Sequence, residues 1–412
     1  MRILMLTDFY RPFTGGVELH VEHLSRSLVE RGHEVTVATH HIQGEERVET
    51  ISGVHVHRFD SLSGRSRRLH SNCHRPWAPP APDPGLVRQL NSLIADVQPD
   101  IVHGHDWFER SYLPLKRKTG PAFVTTLHYY TLSCAKKNLL FKDGICSGPA
   151  LSKCAGCAGA HYGTVKGPLV YAANRVFARL ERRLTDATIA VSRATAAGNG
   201  IDADDPSCFV VPNFLTPASN SDDDAAQFVA QLPNSPFLLF AGDLRSAKGI
   251  DVLFAAYKLL SNPPPVVLIG SAGDSALEAL PPGVSIHGEW PNVAVRAAWR
   301  RCLFGVVPSV WSEPFGIVLL ECMEAGRPVI ASRIGGIPDV VDDGITGDMV
   351  TPGDPASLAA AIQRLVDDPS RRERMGIAAK KRSALFTAEA VVPRIESVYA
   401  YAIAQRTTRK AL

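Results

Sequence analysis

A run of buried-strand character, Arg2 to Leu6, enters a loop that ends at Gly15-Gly16, and Val17, Val21, Leu24 and Leu28 then recur at helical spacing. Gly32 follows Glu30-Arg31, where a left-handed residue would stop that helix, and Val35-Thr36-Val37-Ala38 reads as a second strand. Strand, helix and strand within about 40 residues make a βαβ unit, which demands a parallel sheet with a right-handed crossover. The runs Ile101-Val102, Phe123 to Leu127, Thr188 to Val191 and Phe209-Val210-Val211 extend the sheet. They are continuous rather than alternating, as in parallel strands buried on both faces. Residues 214–235 then turn rich in Pro, Asn and Ser, with the acidic run Asp222-Asp223-Asp224, and read as a connection.

The pattern restarts with a strand at Phe237 to Ala241, a loop from Gly242 to Gly249 and a helix from Ile250 to Leu260. The runs at Val266 to Ile269, Val284 to Ile286, Leu303 to Val307 and Val329 to Ala331 complete a second doubly wound sheet. The expected division is 1–215, a linker at 216–235, 236–385, and a last helix in 386–412 that crosses back to the first domain. Ligands of such sheets bind beyond the strand C-termini, so a cleft between facing lobes is expected.

Composition narrows the class further. A length of 412 residues suits two or three domains. With 45% apolar and 21% charged residues, disorder and fibrous repeats are excluded. Lys plus Arg exceed Asp plus Glu by 44 − 41 = +3, too little for a dedicated nucleic-acid binder. No apolar run reaches the ~18 residues of a membrane span, and Met1 to Leu6 does not look like a secretory signal. A cytoplasmic protein of two α/β domains is expected.

The sharpest chemical signal is Glu313-Pro314-Phe315-Gly316-Ile317-Val318-Leu319-Leu320-Glu321, followed by Glu324-Ala325-Gly326-Arg327-Pro328. Pro314 suits the first turn of a helix that Gly326 ends. Glu313 then precedes the helix and Glu321 lies about two turns inside it. The free N–H groups of Phe315, Gly316, Ile317 and Val318 form an anion site at its start. One carboxylate can grip sugar hydroxyls and the deeper one a ribose; the bland alternative is a solvated acidic pair flanking a core helix.

At these residues the sequence resembles the retaining glycosyltransferase family 4, which carries a Glu-x7-Glu motif in a Glu-Pro-Phe-Gly-like context and has the GT-B fold. Gly15-Gly16-Val17-Glu18 with His20 resembles its N-terminal glycine loop, and Arg31 to Val35 the end of its first helix. Val211-Pro212-Asn213 resembles its end-of-first-domain signature, and Gly335 to Asp339 with Gly344 to Gly347 its late glycine-rich segment. The resemblance implies two Rossmann-like domains, with nucleotide sugar bound mainly by the second and acceptor by the first. It implies that Glu313 contacts the transferred sugar and Glu321 the ribose. The backbone of Phe315 to Val318 would line the diphosphate, and the Gly15-Gly16 loop would cover it from the other lobe.

A basic pair in Gly242 to Gly249 should clamp the diphosphate. Lys248-Gly249 matches the family, whereas Asp243 stands where Arg is usual and Arg245 comes two residues later. Arg245 is either a substitute for that Arg or a solvated loop charge. His128 follows the strand Phe123 to Leu127, where the family often has a His facing sugar and acceptor. A neutral imidazole there accepts a hydrogen bond without adding charge. Same-face transfer is favoured, with the leaving phosphate taking the acceptor proton. His103, His105 and Asp106, after another strand end, are candidates for the acceptor side. No organic cofactor and no catalytic divalent metal are expected. The donor is a UDP-, GDP-, ADP- or dTDP-sugar, and the acceptor a small molecule, saccharide or lipid.

Cys134, Cys146, Cys154 and Cys157 form C-x11-C-x7-C-x2-C. A structural zinc with four thiolates explains the terminal Cys-x-x-Cys; an iron–sulfur cluster or simply reduced, packed thiols are the alternatives. Cys73, Cys208, Cys302 and Cys322 read as core thiols. Arg65, Arg67, Arg68 and Arg75, with Lys116, Arg117 and Lys118, leave peripheral contact with a membrane open against a merely solvated basic surface. Rival functions are an epimerase or phosphorylase on the same fold, or a non-catalytic nucleotide-sugar binder. A nicotinamide-dependent oxidoreductase is disfavoured because the first βα turn is Thr14-Gly15-Gly16-Val17 rather than G-x-G-x-x-G.

Overall fold

The computed structural model describes residues 1–13, 15–62, 77–142, 144–215, 222–271 and 280–411, without the side chains of 222–224 and 407–411. Arg65, Arg67, Arg68, Cys73 and Arg75 lie outside the described residues. The chain divides into two units, Met1–Asn213 with Val391–Leu412, and Phe214–Ala390.

The first unit begins β1 (Arg2–Leu6), α1 (Gly16–Glu30), β2 (Glu34–His40), β3 (Val48–Ile51) and β4 (Val54–Phe59). After α2 (Pro84–Val97) come β5 (Ile101–Gly104), a 3-10 stretch at Trp107–Leu115, and β6 (Ala122–Leu127). The short hairpin β7 (Leu140–Phe141) and β8 (Gly144–Ile145) leads to α3 (Leu151–Tyr162) and α4 (Lys166–Leu184). Then β9 (Ala187–Ala190), α5 (Arg193–Gly198) and β10 (Cys208–Val210) finish the eight-stranded sheet, ordered β10-β9-β6-β5-β1-β2-β4-β3.

Helix and strand boundaries follow local chemistry. Val21, Leu24 and Leu28 are fully buried on α1, and Gly32 has φ 85° where the helix stops. Asp83 caps α2 by accepting the Gly85 and Leu86 N–H groups, with Pro84 in the first turn. The sheet departs from the expected all-parallel pattern at one edge. β3 runs antiparallel to β4, joined by a two-residue turn at Ser52 and Gly53, both with positive φ. Leu4, Leu6, Val102, Phe108 and Phe123 form the core of one face of this sheet.

The second unit carries α6 (Asp222–Val229), β11 (Leu238–Ala241), α7 (Ile250–Tyr257), β12 (Val266–Ile269) and β13 (Val284–His287). It continues with α8 (Asn292–Arg301), β14 (Gly305–Val307), α9 (Ile317–Glu324), β15 (Val329–Ser332), α10 (Ile337–Val340) and β16 (Gly347–Val350). Helices α11 (Pro355–Asp367) and α12 (Pro369–Ser383) close it, and α13 (Ala388–Ala411) begins in this unit and ends in the first. Its six strands are all parallel, in the order β13-β12-β11-β14-β15-β16.

Two expectations need correction here. The interval 216–235 is not a bare connection, because α6 sets Ala225 and Phe228 against Ala294, Ala297 and Trp290 of the α8 region. Pro314 does not sit in the first turn of a helix: α9 starts at Ile317, and Gly316, with φ 90°, is the residue that caps it.

From Val391 onward α13 is part of the first unit. Glu396 accepts from Arg31 Nη2 at 2.6 Å and pairs with His33 at 2.8 Å, and the Tyr401 ring meets Phe209 edge-on. Among the described residues no helix is long and apolar enough to cross a membrane. Of the basic patch expected at 116–118, Lys116 is withdrawn from solvent, its ammonium 2.5 Å from Asp186 Oδ2.

Candidate active site

In the second unit two loops leave neighbouring parallel strands at their C-terminal ends, Gly242–Gly249 after β11 and 308–316 after β14. Their contact depends on Gly249. It sits at φ 79°, and a Cβ there would stand 1.9 Å from the Pro308 carbonyl oxygen. With the side chain absent the loops press together, and the Val310 N–H donates to the Ala247 carbonyl at 3.0 Å. Lys248, next to that contact, reaches Glu313, with Nζ 2.6 Å from Oε1.

Ser309 Oγ donates to the same carboxylate oxygen at 2.8 Å, and the Trp311 ring lies 5.2 Å from the ammonium. Behind Glu313 a second glycine is required: a Cβ on Gly335 would stand 2.2 Å from the Glu313 carbonyl oxygen and 2.5 Å from its nitrogen. The Gly336 N–H closes this contact by donating to that carbonyl at 2.7 Å. The Glu313 side chain is 7% exposed and that of Lys248 28%, so one partner is held by protein and the other can turn to a ligand.

Gly316, Ile317 and Val318 are partly exposed, and no side chain caps α9. Phe315 is buried, its ring facing Phe386, so only its backbone can serve a ligand. An uncapped first turn leaves N–H donors and the positive end of the helix dipole for an anion. Glu321, on the next turns, accepts from Asn292 Nδ2 at 2.7 Å, and burial pushes its carboxyl up against that hydrogen bond. Arg245 is not brought to this group. Its side chain is 66% exposed and lies 3.9 Å from Asp243.

In the first unit β1, β5 and β6 end side by side, and their C-terminal ends gather a buried polar group. His128 directly follows β6, and its Nε2 is 3.1 Å from His105 Nδ1, so one ring donates and the other accepts. His20, from α1, sets its ring 4.9 Å from that of His128. His103 lies inside β5 rather than after it, and is fully buried. Its nitrogens are both engaged, Nδ1 with Tyr399 Oη and Nε2 with Thr126 Oγ1, each at 2.7 Å. It therefore supports His105, whose ring lies 4.1 Å away, and is not itself open to an acceptor.

Burial keeps all four imidazoles neutral, pushing His20 and His103 down to about 3 and His105 and His128 well below the ordinary value. His105 Nε2 is buried without a hydrogen-bond partner. His20, His105 and His128 each offer a ligand atom within 4.8 Å of the others, close enough in principle for a metal ion.

Asp106 accepts the Trp107 N–H at 2.7 Å and holds the Lys137 ammonium at 2.5 Å. That ammonium lies between the Trp77 and Trp107 rings, 4.4 and 4.3 Å from their centroids, and 3.8 Å from Asp8. Burial raises Asp106 to about 6, with Asp8 adding to the effect and Lys137 opposing it. Gly15 caps α1 with its carbonyl accepting from the Leu19 N–H at 3.0 Å. Its missing side chain makes room for Glu18, whose carboxylate a Cβ would meet at 2.3 Å. Gly16 then begins the helix.

Sequence reasoning did not find Asp8, Lys137, Ser309 or Asn292. Asp8 could have been found from its place just past β1; Lys137 has no such signal, since it arrives from a loop. Cys134, Cys146, Cys154 and Cys157 are not in disulfides, and all four line one small cavity beside β7, β8 and α3. Cys208, Cys302 and Cys322 are buried, as expected of core thiols.

Two family models match this chain, "Glycosyl transferases group 1" over residues 222–382 and "Glycosyltransferase Family 4" over residues 14–199. The chain is 31% identical to a D-inositol 3-phosphate glycosyltransferase of Arthrobacter sp., over 89% of this chain and 85% of that one. Its fold is similar to that of sucrose-phosphate synthase from Thermosynechococcus elongatus, with TM-score 0.72, 20% identity and coverage of 98% and 99%. The Anabaena protein HepE, solved in complex with UDP-glucose, matches with TM-score 0.67, 18% identity and coverage of 97% and 99%.

Proposed function

The chain belongs to the GT-B glycosyltransferases, and on that premise we propose that it is a family 4 enzyme moving a sugar from a nucleoside diphosphate to an acceptor hydroxyl with retention of configuration. The observation that carries this reading is the Lys248–Glu313 pair, fixed past the ends of β11 and β14 by two glycines that admit no side chain.

Glu313 accepts hydrogen bonds from the transferred sugar, and Lys248 turns from it to the diphosphate. The backbone of Phe315, Gly316, Ile317 and Val318 donates to the same phosphates, and Glu321 accepts from the ribose. Arg245, exposed and weakly paired, is free to swing to the diphosphate. Charge builds on the departing phosphate as the anomeric bond stretches, so each donor lost there removes about 2–4 kcal/mol of transition-state stabilisation.

In the step itself the bond from anomeric carbon to phosphate oxygen breaks and a bond to the acceptor oxygen forms on the same face. The acceptor proton passes to the departing phosphate oxygen. His128 accepts a hydrogen bond at the reacting centre and stays neutral, as its burial favours. The unpartnered His105 Nε2 supports a substrate contact, since buried polar atoms ordinarily have partners. Asp106 and Lys137 border the acceptor side. These steps need neither an organic cofactor nor a catalytic divalent metal.

Thermal shift with UDP-, GDP-, ADP- and dTDP-glucose tests the donor, because a ligand bound only by the folded state raises the transition temperature. UDP-glucose is the first donor to try, given HepE, and D-inositol 3-phosphate the first acceptor, given the Arthrobacter relative. One donor should stabilise the wild type and do so far less in Glu321→Ala, and NMR of the product should give the donor's anomeric configuration. No stabilisation by any nucleotide sugar, or an inverted product, overturns the proposal.

A further inference from the structure

We propose that Cys134, Cys146, Cys154 and Cys157 hold one structural zinc ion as a tetrathiolate. The four side chains line a single cavity of about 20 Å³, walled by Leu139, Phe141 and Ala158. Cys154 and Cys157 stand on α3, but the chain that carries Cys134 and Cys146 is mostly turns, with two two-residue strands and left-handed backbone at Lys137, Leu139, Lys142 and Gly148. Three of those four carry side chains, for which this conformation is unfavourable. The local apolar cluster is only Ala135, Ala158 and Tyr171 with a few partly buried neighbours. A fold this irregular with so little core needs another source of order, and metal ligation supplies it in small domains.

The Ala150 N–H donates to Cys154 Sγ at 3.3 Å, a contact that suits a thiolate, while the Cys146 and Cys157 thiols donate to the Gly148 and Leu140 carbonyls at 3.5 and 3.8 Å, contacts that metal ligation replaces. Lys136 and Lys153 line the same cavity, and their two positive charges match the net −2 of a divalent ion with four thiolates. Four soft sulfur ligands select zinc or an iron–sulfur cluster over harder metals.

The sulfurs are more spread than in a loaded site, since no three of them lie within 4.8 Å of one another. Zn–S bonds of about 2.3 Å in a tetrahedron bring sulfurs to about 3.8 Å apart, so binding draws the turns inward. Each thiol releases its proton to solvent as its sulfur takes the metal. The ligation also fixes Lys137: its N–H donates to the Cys134 carbonyl at 3.0 Å, and its carbonyl accepts from Tyr130 at 3.1 Å. The zinc-bound turn thus presents the Lys137 ammonium to Asp106.

The test is elemental analysis of the full-length chain, purified without a metal-affinity tag. About one zinc per chain is expected. Replacing it with Co2+ should give the thiolate charge-transfer and d–d bands of a tetrahedral sulfur site. Cys154→Ser and Cys157→Ser should each lose the metal, whereas Cys208→Ser and Cys302→Ser keep it. If the first two variants do not fold, the wild-type metal content and cobalt spectrum still decide. A metal-free chain whose four thiols titrate in the native state overturns the proposal, as does bound iron. So does zinc retained by the Cys154→Ser and Cys157→Ser proteins, which would direct attention to His20, His105 and His128.

Discussion

Lys248→Met separates the two tasks assigned to this lysine, holding Glu313 and binding phosphate. In the wild type its ammonium lies 2.6 Å from a carboxylate whose side chain is 7% exposed. Removing it leaves Glu313 with Ser309 as its hydrogen-bond donor, and an incompletely satisfied buried acceptor costs about 1–3 kcal/mol of stability. The ligand effect is separate. A charge-assisted hydrogen bond contributes about 1.5–3 kcal/mol, so losing one to the diphosphate weakens binding about 10- to 150-fold. Calorimetric titration with the nucleoside diphosphate and with its parent nucleoside makes the distinction. The variant should lose affinity for the diphosphate and keep its affinity for the nucleoside. Adding Glu313→Gln removes the stranded charge, so the double variant should regain stability without regaining diphosphate affinity. Equal diphosphate affinity in wild type and Lys248→Met would refute the reasoning.

Three other perturbations address the remaining parts. His128→Ala should lower kcat by about 10²–10³-fold while leaving donor affinity within about twofold, as befits a hydrogen-bonding group at the reacting centre; a purely structural role would lower both together. Gly335→Ala forces a Cβ to within 2.2 Å of the Glu313 backbone at a φ of +57°, so turnover should fall and the urea midpoint should drop; an unchanged midpoint and full activity would mean that this contact fixes nothing. His20 binds its proton only near pH 3 in the folded chain and near 6.5 when unfolded, so acidification through that window withdraws stability, by up to ~1.4 kcal/mol per pH unit for one such group; Asp106, raised to about 6, works in the opposite direction. His20→Gln should therefore lose less stability than wild type between pH 7 and pH 5 in urea titrations, and an equal loss would contradict the assignment.

What the sequence disclosed of the fold depended on burial. Parallel strands covered on both faces, such as β1 and β11, are nearly unbroken apolar runs and could be read directly. β3 and β4 could not. β3 carries Val48, Glu49, Thr50 and Ile51 on a solvated edge, and its signal is a weak alternation interrupted by charge. α6 was hidden for a related reason, because its acidic start resembles a linker and its role depends on Trp290 and Ala294, more than 60 residues away.

The site divides along the same line between local and distant information. Glu313, Lys248 and His128 stand in short motifs next to strand ends, where backbone geometry already restricts what a side chain can reach. Arg245 sits in the same loop as Lys248, yet only the lysine meets Glu313, because the close approach of Gly249 to Pro308 carries its immediate neighbour inward and leaves Arg245 in solvent. No local pattern encodes that difference, since it is set by the backbone of another strand's loop. Lys137 makes the point more strongly. Its partners Asp8, Trp77 and Asp106 come from three segments, and it reaches them only because the cysteine-bearing turns after β6 fold back over the strand ends. The candidate site residues were therefore legible where one motif holds both the group and its scaffold. Where the scaffold lies elsewhere in the chain, as with Lys137 and the four cysteines beside it, spacing could suggest a ligand set while only the folded arrangement connects it to Asp106 and Asp8.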